Sequence, residues 1–449
     1  MSEVKENKFD MLHGPLIGKI VMFAIPIALT STLQQLFNAA DIIVCGRFVG
    51  KIALAAVGAN SQIINLFINS FLGLSIGANV MIANYIGAGK NKKIYDVVHT
   101  SMTFSVAFGI FLMIAGLFIS KNVLQFLGTP DDILDPATLY LRIIFMCVPF
   151  IIIYNFGAAI LRSIGDTKRP LIILTITGVV NLVLNVILVV FFHLEVAGVA
   201  IATAVSNVIS AVVVVILLIN EKSVVKYDIT KWMIVPDALF KIMRVGIPTA
   251  VQGMVFSISN LCVQSAINSL GTITIAANTA ALNIESFPYF LFTAFSSACL
   301  TFMSQNYGAG DYERCKKVHR YCLILGVASS FVFAMIIQIF AVNALMIFTT
   351  EQEVVDVAMH RIRIATSTTW IQAIYETSGS GLRVLKHPIL PTIMVTLGAV
   401  VLRLIWIFTV FPFFKDYFTV VIIYPISWMV INIGMVIAYK RVSGRMIKT

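Results

Sequence analysis

An internal repeat of about half the chain constrains the fold more than any other feature of this sequence. Residues 19–28 return 222 positions later as residues 241–250, with a proline at the same place in each copy, Pro26 and Pro248. Further pairs at a spacing of 221 or 222 are Asn84 with Asn306, Leu161 with Leu382, and Pro170 with Pro391. Repeats of this size in an apolar chain are typical of transporters built from two related bundles.

The composition places both copies in a lipid bilayer. Of the 449 residues, 59% are hydrophobic and 12% are charged, and the mean hydropathy is +0.94. About 20 apolar residues span the hydrocarbon core. The sequence offers a dozen such runs: 16–45, 53–86, 95–119, 133–161, 171–192 and 196–220, then 238–268, 273–305, 319–347, 356–384, 388–411 and 418–439.

These runs predict an all-α integral membrane protein with twelve transmembrane helices in two six-helix bundles. An even number of crossings gives both bundles the same orientation, so a pseudo-twofold axis along the membrane normal relates them. The longest polar stretch, 221–237, follows the first set of runs. The predicted domains are therefore an N-terminal bundle (1–220), a linker (221–237) and a C-terminal bundle (238–449).

The net charge of +11 indicates orientation rather than a nucleic-acid partner. Most lysines and arginines lie in alternate loops and in the tails, which the positive-inside rule places in the cytoplasm. We therefore expect a multi-pass protein of the inner (plasma) membrane with both termini cytoplasmic. The first apolar run is too long for a cleavable signal peptide.

Motifs for enzymatic chemistry are missing from the sequence. The six cysteines lack metal-ligand or redox spacing, and neither a phosphate-binding loop nor an H-E-x-x-H pair occurs. We predict that the chain is not an enzyme, holds no cofactor other than a coupling ion, and draws its energy from an ion gradient.

A polar stripe in the first predicted helix contains its only well-embedded acid. Gln34, Asn38 and Asp41 fall at i, i+4 and i+7, which places them on one face. A charged group inside a membrane is costly and marks a functional candidate. A carboxyl group buried among neutral polar groups can carry a proton, and with amide and hydroxyl oxygens it can bind Na⁺. The alternatives are a structural hydrogen-bond hub and a solvated aspartate near the helix end.

Two further helices offer partners for Asp41. Asn181 and Asn185 are four residues apart in the fifth predicted helix, and Thr203 lies near the middle of the sixth. If these faces meet, Asp41 lies among amide and hydroxyl groups with no basic residue near it in sequence. We therefore predict an ion-coupling site formed by Asp41, Asn181, Asn185 and Thr203.

The other embedded acids, Glu285 and Glu376, break the repeat. Glu285 corresponds to Ile64, and Glu376 corresponds to Asn155. Either glutamate can contact substrate or ion, or can form a buried hydrogen bond or ion pair, for example with Arg403. Polar residues on the seventh and tenth predicted helices complete the predicted substrate-binding set: Gln34, Asn38, Asn260, Gln264, Glu285, Tyr375 and Glu376.

Several segments resemble the multidrug and toxic compound extrusion (MATE) family. They are Leu-Phe-Asn-Ala-Ala-Asp at 36–41, Gly-Leu-Ser-Ile-Gly-Ala-Asn at 73–79, Asn-Tyr-Ile-Gly-Ala-Gly at 84–89, and Leu-Arg-Ser-Ile-Gly-Asp-Thr-Lys-Arg-Pro at 161–170. The resemblance covers nearly the whole chain. It implies a V-shaped pair of six-helix bundles that alternates access and expels cationic, amphipathic compounds in exchange for H⁺ or Na⁺.

The resemblance also implies roles for individual residues. Asp41 matches the family's coupling aspartate, Asn181 matches the asparagine of an Asn-x-x-x-Asp pattern, and Thr203 resembles the threonine that completes the cation site. Asn185 stands where that pattern has its second acid. A lone carboxylate holds Na⁺ less firmly, which favours H⁺, with Na⁺ at Asp41, Asn181 and Thr203 as the alternative. Glu376 resembles an acid that several members carry in the tenth helix.

The leading functional hypothesis is therefore a secondary antiporter that exports amphipathic, mostly cationic drugs or toxic metabolites. The alternative is a flippase for lipid-linked saccharide precursors, which would favour a strongly basic cleft. The expected partners are small amphipathic substrates and membrane lipid, without nucleic acid, and the expected oligomeric state is a monomer.

Overall fold

The computed structural model describes residues 9–349 and 351–445, and every regular element among them is helical. The first repeat contains α1 Leu16–Val44, α2 Lys51–Gly87, α3 Asn91–Phe126, α4 Asp131–Ser163, α5 Lys168–Val186 and α6 Glu195–Ile219. The second contains α7 Pro236–Asn268, α8 Thr272–Gly308, α9 Tyr312–Met346, α10 Gln352–Arg361, α11 Trp370–Val384, α12 Ile389–Val395, α13 Leu402–Thr409, α14 Phe411–Phe414 and α15 Tyr417–Arg445. Four short π-helical segments interrupt them: Cys45–Val49, Ile187–Phe191, Ile362–Thr366 and Thr396–Val401. The all-helical prediction is confirmed.

Within the described residues, eleven helices are long and apolar enough to cross a membrane. The remaining predicted span, 356–384, is divided into α10, a π-helical segment and α11. Hydroxyl groups at the break bond to the backbone: Thr368 Oγ1 donates to the Ile364 carbonyl at 2.6 Å, and Thr369 Oγ1 donates to the Thr366 carbonyl at 2.8 Å. Such side-chain bonds compete with the regular helical ladder, so this span lacks the continuity that its hydropathy predicts.

The two repeats end their second helix in the same way. Gly89 and Gly310 have positive φ angles of +66° and +80°, which glycine adopts without steric cost. In each copy the amide of the following residue, Lys90 or Asp311, donates at 3.0 Å to a carbonyl five residues earlier. This geometry is a helix C-cap, so the matched Gly-Ala-Gly turns stop the helices that they follow.

The chain folds into two compact units. Unit 1 contains Leu29–Gly246, and unit 2 contains Met11–Ala28 together with the chain from Ile247 onward. These units differ from the predicted domains, which divide the chain at residues 220 and 238, in two segments. The first half of α1 belongs to unit 2, and the linker together with the start of α7 belongs to unit 1. The termini, 1–8 and 446–449, lie outside the described residues.

Close packing explains why the start of α7 belongs to unit 1 and the first half of α1 belongs to unit 2. A Cβ atom on Gly77 of α2 would lie 2.2 Å from the Ile242 carbonyl oxygen of α7, so only glycine permits this approach within unit 1. In unit 2, the Phe23 ring of α1 meets the Phe302 ring of α8 edge to face at 5.5 Å. Phe23 and Phe302 are fully buried, which ties the first half of α1 to the core of unit 2.

The linker is fixed to unit 1 by polar contacts. Three side chains of α3 accept hydrogen bonds from linker amides: His99 Nε2 from Asp228 (3.0 Å), Thr100 Oγ1 from Val235 (3.0 Å) and Thr103 Oγ1 from Met233 (3.3 Å). At its start, Glu221 forms an ion pair with Arg169 of α5 at 2.6 Å. The linker is thus an ordered part of unit 1.

Candidate ion-coupling and substrate sites

Unit 1 brings together the four residues of the predicted ion-coupling site. Asp41 on α1 accepts a hydrogen bond from Asn185 Nδ2 on α5. The Thr203 hydroxyl on α6 also lies within hydrogen-bonding reach of the Asp41 carboxylate. Asn181 and Asn185 are buried, while Asp41 and Thr203 are partly exposed. Among the described residues, no cation forms an ion pair with Asp41.

Asn181 completes the arrangement when its amide is turned to satisfy both polar atoms. Its Nδ2 then lies 2.8 Å from Asp41 Oδ1, and its Oδ1 lies 3.3 Å from the Thr203 backbone nitrogen. Two amide N–H groups therefore point at one carboxylate oxygen, while the Asn185 Oδ1 atom is buried without a hydrogen-bond partner. Hard cations prefer a shell of oxygen atoms. With the amides in this orientation, N–H groups rather than oxygen atoms face the carboxylate, so this arrangement does not form such a shell.

Tyr140 on α4, which hydropathy and spacing did not single out, is buried and interacts electrostatically with Asp41. Its repeat partner, 221 positions later, is Arg361. The predicted substrate residues Gln34 and Asn38 are exposed on α1, in the turns that precede Asp41. Unit 1 therefore presents a polar, uncharged α1 surface next to a single acid.

Unit 2 contains a buried ion pair at the position of the predicted substrate residue Glu285. Arg361 Nε donates to Glu285 Oε2 at 2.7 Å, and Arg361 Nη2 lies 3.3 Å from Oε1. The two side chains are 1% and 11% exposed. The expected alternative of an ion pair thus holds for Glu285, but its partner is Arg361 at the end of α10 rather than Arg403.

A second buried guanidinium group lies beside this pair. Arg361 and Arg403 both approach the ring of Tyr424 on α15, with each guanidinium carbon 4.4 Å from the ring centroid. Arg403 Nε also donates to Ser427 Oγ at 3.1 Å. Cation–π contacts of this kind partly replace lost hydration, so Tyr424 helps to hold two positive charges in the interior.

The predicted polar stripe on α7 connects to the same network. Asn278 Oδ1 accepts from Arg361 Nη1 at 3.1 Å, and Asn278 Nδ2 donates to Gln264 Oε1 at 3.3 Å. Asn260 Oδ1 accepts from Arg403 Nη1 at 3.4 Å. The structure thus joins Asn260, Gln264 and Glu285 through two arginines, an arrangement that hydropathy and spacing did not predict.

Tyr375 and Glu376 lie on α11 of the same unit. Tyr375 is buried and donates to Gln372 Oε1 at 3.1 Å. Glu376 is partly buried, interacts electrostatically with Arg383 and forms no ion pair among the described residues. Of the two embedded acids of unit 2, Glu285 and Glu376, only Glu285 forms an ion pair with an arginine among the described residues.

Comparisons with known proteins agree with this architecture. A sequence model of the MatE family matches residues 26–187 and again 248–409, two segments separated by the 222 positions of the internal repeat. The chain is 28% identical over 352 residues to the probable multidrug resistance protein YoeA of Bacillus subtilis, covering 77% of this chain and 76% of YoeA. It is 25% identical to the probable multidrug resistance protein NorM of Thermotoga maritima, covering 88% and 86% of the two chains.

Solved structures share the fold. A MOP superfamily transporter from Pyrococcus furiosus, described as having a binding pocket of reversed polarity, aligns with a TM-score of 0.92 and 22% identity over 100% of both chains. A crystal structure of MATE in the straight conformation aligns with a TM-score of 0.91 and 21% identity over 98% of both chains. Because the family model matches most of the sequence, once in each repeat, the chain belongs to the MatE family, whose members are membrane transporters rather than enzymes.

Proposed function

We propose that this chain is a multidrug efflux antiporter that exports amphipathic, mostly cationic compounds in exchange for H⁺ by alternating access. The names of the relatives, probable multidrug resistance proteins, support efflux of varied compounds. We propose that it is a monomer of the plasma membrane, and that both termini are cytoplasmic, as the positive-inside rule indicates.

The observation that carries this proposal is the environment of Asp41. Its carboxylate meets the amides of Asn185 and Asn181 and the hydroxyl of Thr203, all of them neutral. Since no cationic side chain among the described residues pairs with it, the carboxylate can change charge by taking up one proton. Ion binding drives export only if the two access states differ in affinity for the ion. A change in how the two amides meet Asp41 would supply that difference.

Each unit by itself presents predicted substrate residues whose polar or acidic groups suit a cationic ligand. Gln34 and Asn38 on α1 and Asn260 on α7 have exposed side chains, and the Glu376 carboxylate forms no ion pair among the described residues. A partly buried carboxylate attracts a positively charged ligand more strongly than a solvated one, because the local dielectric is low. We propose Glu376 as the acid that a cationic substrate contacts.

The test is transport by the purified protein in proteoliposomes with imposed H⁺ or Na⁺ gradients and a panel of cationic dyes. We expect a pH gradient to drive dye movement, and Asp41→Asn to abolish that dependence. Asp135→Asn is the matched control, because Asp135 forms only an exposed pair with Lys121 and its loss should leave transport unchanged.

Asp41→Asn with full pH-driven transport would refute the assigned role. Transport driven only by Na⁺ would replace the proton with the alternative ion. Movement of a labelled lipid-linked saccharide, without any dye export, would support the flippase alternative instead.

A further inference from the structure

Arg403 is a buried arginine that forms no ion pair with a carboxylate among the residues that the structure describes. Its side chain is fully buried, and its contacts are neutral: Nε donates to Ser427 Oγ at 3.1 Å, and Nη1 lies 3.4 Å from Asn260 Oδ1. The rings of Tyr424 and Phe256 cover the guanidinium group, at 4.4 and 5.6 Å. Its Nη2 atom has no hydrogen-bond partner among the described residues.

The surrounding charges leave a surplus of one positive charge. Arg361 shares the Tyr424 ring with Arg403, but Glu285 binds Arg361 with both of its carboxylate oxygens. The cluster of Arg361, Arg403 and Glu285 therefore has two cations and one anion. A buried charge without a partner is destabilising, and a buried N–H group without an acceptor adds to that cost. An anion at Arg403 would remove both penalties.

Asn260 gives such an anion a route to the guanidinium group. Its side chain is exposed on α7, on the polar face that continues to Gln264 and Asn268. Its contact with Arg403 is long, at 3.4 Å, and pairs a neutral oxygen with a charged donor. A carboxylate forms shorter and stronger hydrogen bonds to guanidinium, often with two N–H groups at once. It can therefore replace the Asn260 oxygen and also satisfy Nη2.

We propose that Arg403 binds the carboxylate of a transported compound and that Asn260 occupies this position when no carboxylate is bound. The inference rests on the proposed export of small amphipathic compounds and adds a substrate class to it: compounds that carry a free carboxylate, including zwitterions. The cationic part of a zwitterion would contact Glu376, and its carboxylate would contact Arg403.

The experiment compares two probes, a rhodamine dye with a free carboxylate and its methyl ester, in binding to the purified full-length protein by fluorescence polarisation. Arg403→Gln should weaken binding of the carboxylate dye about tenfold or more, the effect of one charged hydrogen bond, and leave binding of the ester unchanged. Arg403→Lys should restore part of the affinity. The matched control is Arg363→Gln, which removes an exposed arginine from the π-helical segment Ile362–Thr366 that follows α10. This variant should change the binding of neither dye.

A second variant tests the inference even if Arg403→Gln does not fold. Asn260→Asp places a carboxylate at the long contact, so it should raise the thermal stability of the protein and lower the affinity for the carboxylate dye relative to the affinity for the ester. An unchanged ratio of the two affinities in Asn260→Asp would overturn the proposal.

Two other results would also overturn it. One is a loss of affinity for both dyes together in Arg403→Gln that retains its fold. The other is a protein that chloride stabilises only when Arg403 is present, while binding of the carboxylate dye does not depend on Arg403. That result would assign the site to an inorganic anion. Export of the ester driven by a pH gradient tests the antiporter separately, so either proposal can fail while the other stands.

Discussion

Replacing Glu285 by glutamine should destabilise the protein far more than removing a surface carboxylate. Arg361 and Glu285 are 1% and 11% exposed and are joined at 2.7 and 3.3 Å. Glutamine keeps the shape of the side chain and one acceptor oxygen but removes the negative charge. Arg361 would then become a second buried cation next to Arg403.

The expected loss is about 3 kcal/mol of unfolding free energy. Breaking a buried ion pair by removing one partner costs about 3–5 kcal/mol. We take the lower end because Arg361 keeps the Asn278 oxygen at 3.1 Å and the Tyr424 ring at 4.4 Å. Asp135→Asn serves as the control. The side chains of Asp135 and Lys121 are 85% and 46% exposed, so loss of their ion pair should cost about 1 kcal/mol or less.

The measurement is an unfolding titration with dodecyl sulfate in mixed micelles, followed by circular dichroism. The double variant Glu285→Leu with Arg361→Met should recover most of the stability, because an apolar pair often replaces a buried ion pair without net cost. Two results would refute the reasoning: Glu285→Gln as stable as Asp135→Asn, or a double variant no more stable than Glu285→Gln alone.

Three further variants test other contacts. Burial alone would raise the pKa of Glu221, but the hydrogen bond and charge of Arg169 outweigh burial and hold this pKa below its ordinary value. Wild type should therefore be more stable than Glu221→Gln above a pH of about 4.3, and this advantage should vanish as the pH falls through the lowered pKa, as thermal melts at several pH values would reveal. His99→Phe keeps an aromatic ring but removes the acceptor for a linker amide, so hydrogen exchange of that amide should become faster. Gly77→Val should lower the melting temperature, because its Cβ would meet the Ile242 carbonyl oxygen at 2.2 Å, whereas an unchanged melting temperature would contradict the close packing.

Much of the fold was predictable from hydropathy and from the repeat. Helix periodicity also predicted that Asn181 and Asn185 share a face of α5, because residues four apart do so whatever the tertiary structure, and both amides reach Asp41. The span at 356–384 was less predictable, since the break at Thr369 depends on where hydroxyl groups bond rather than on mean hydropathy.

The ion pair of Arg361 with Glu285 could not be predicted from residue spacing alone. Arg361 lies at the end of α10, where an arginine normally extends toward water, yet its partner Glu285 is 76 positions earlier in the chain. Contacts across helices depend on rotation and depth, which a single sequence does not encode in any local pattern. The repeat contained one signal, because Arg361 corresponds to Tyr140, a change from a neutral to a charged side chain.

Each compact unit contains a helix segment from the other half of the chain, which determines what happens when the chain is cleaved in the linker. A proteolytic nick between residues 221 and 235 would give two fragments, and neither would contain a complete folding unit. The N-terminal fragment would lack residues 236–246 of unit 1, and the C-terminal fragment would lack Met11–Ala28 of unit 2. Each fragment supplies the piece that completes the other, as in domain swapping. The two fragments should therefore copurify in detergent, and coexpressed halves should reassemble by complementation.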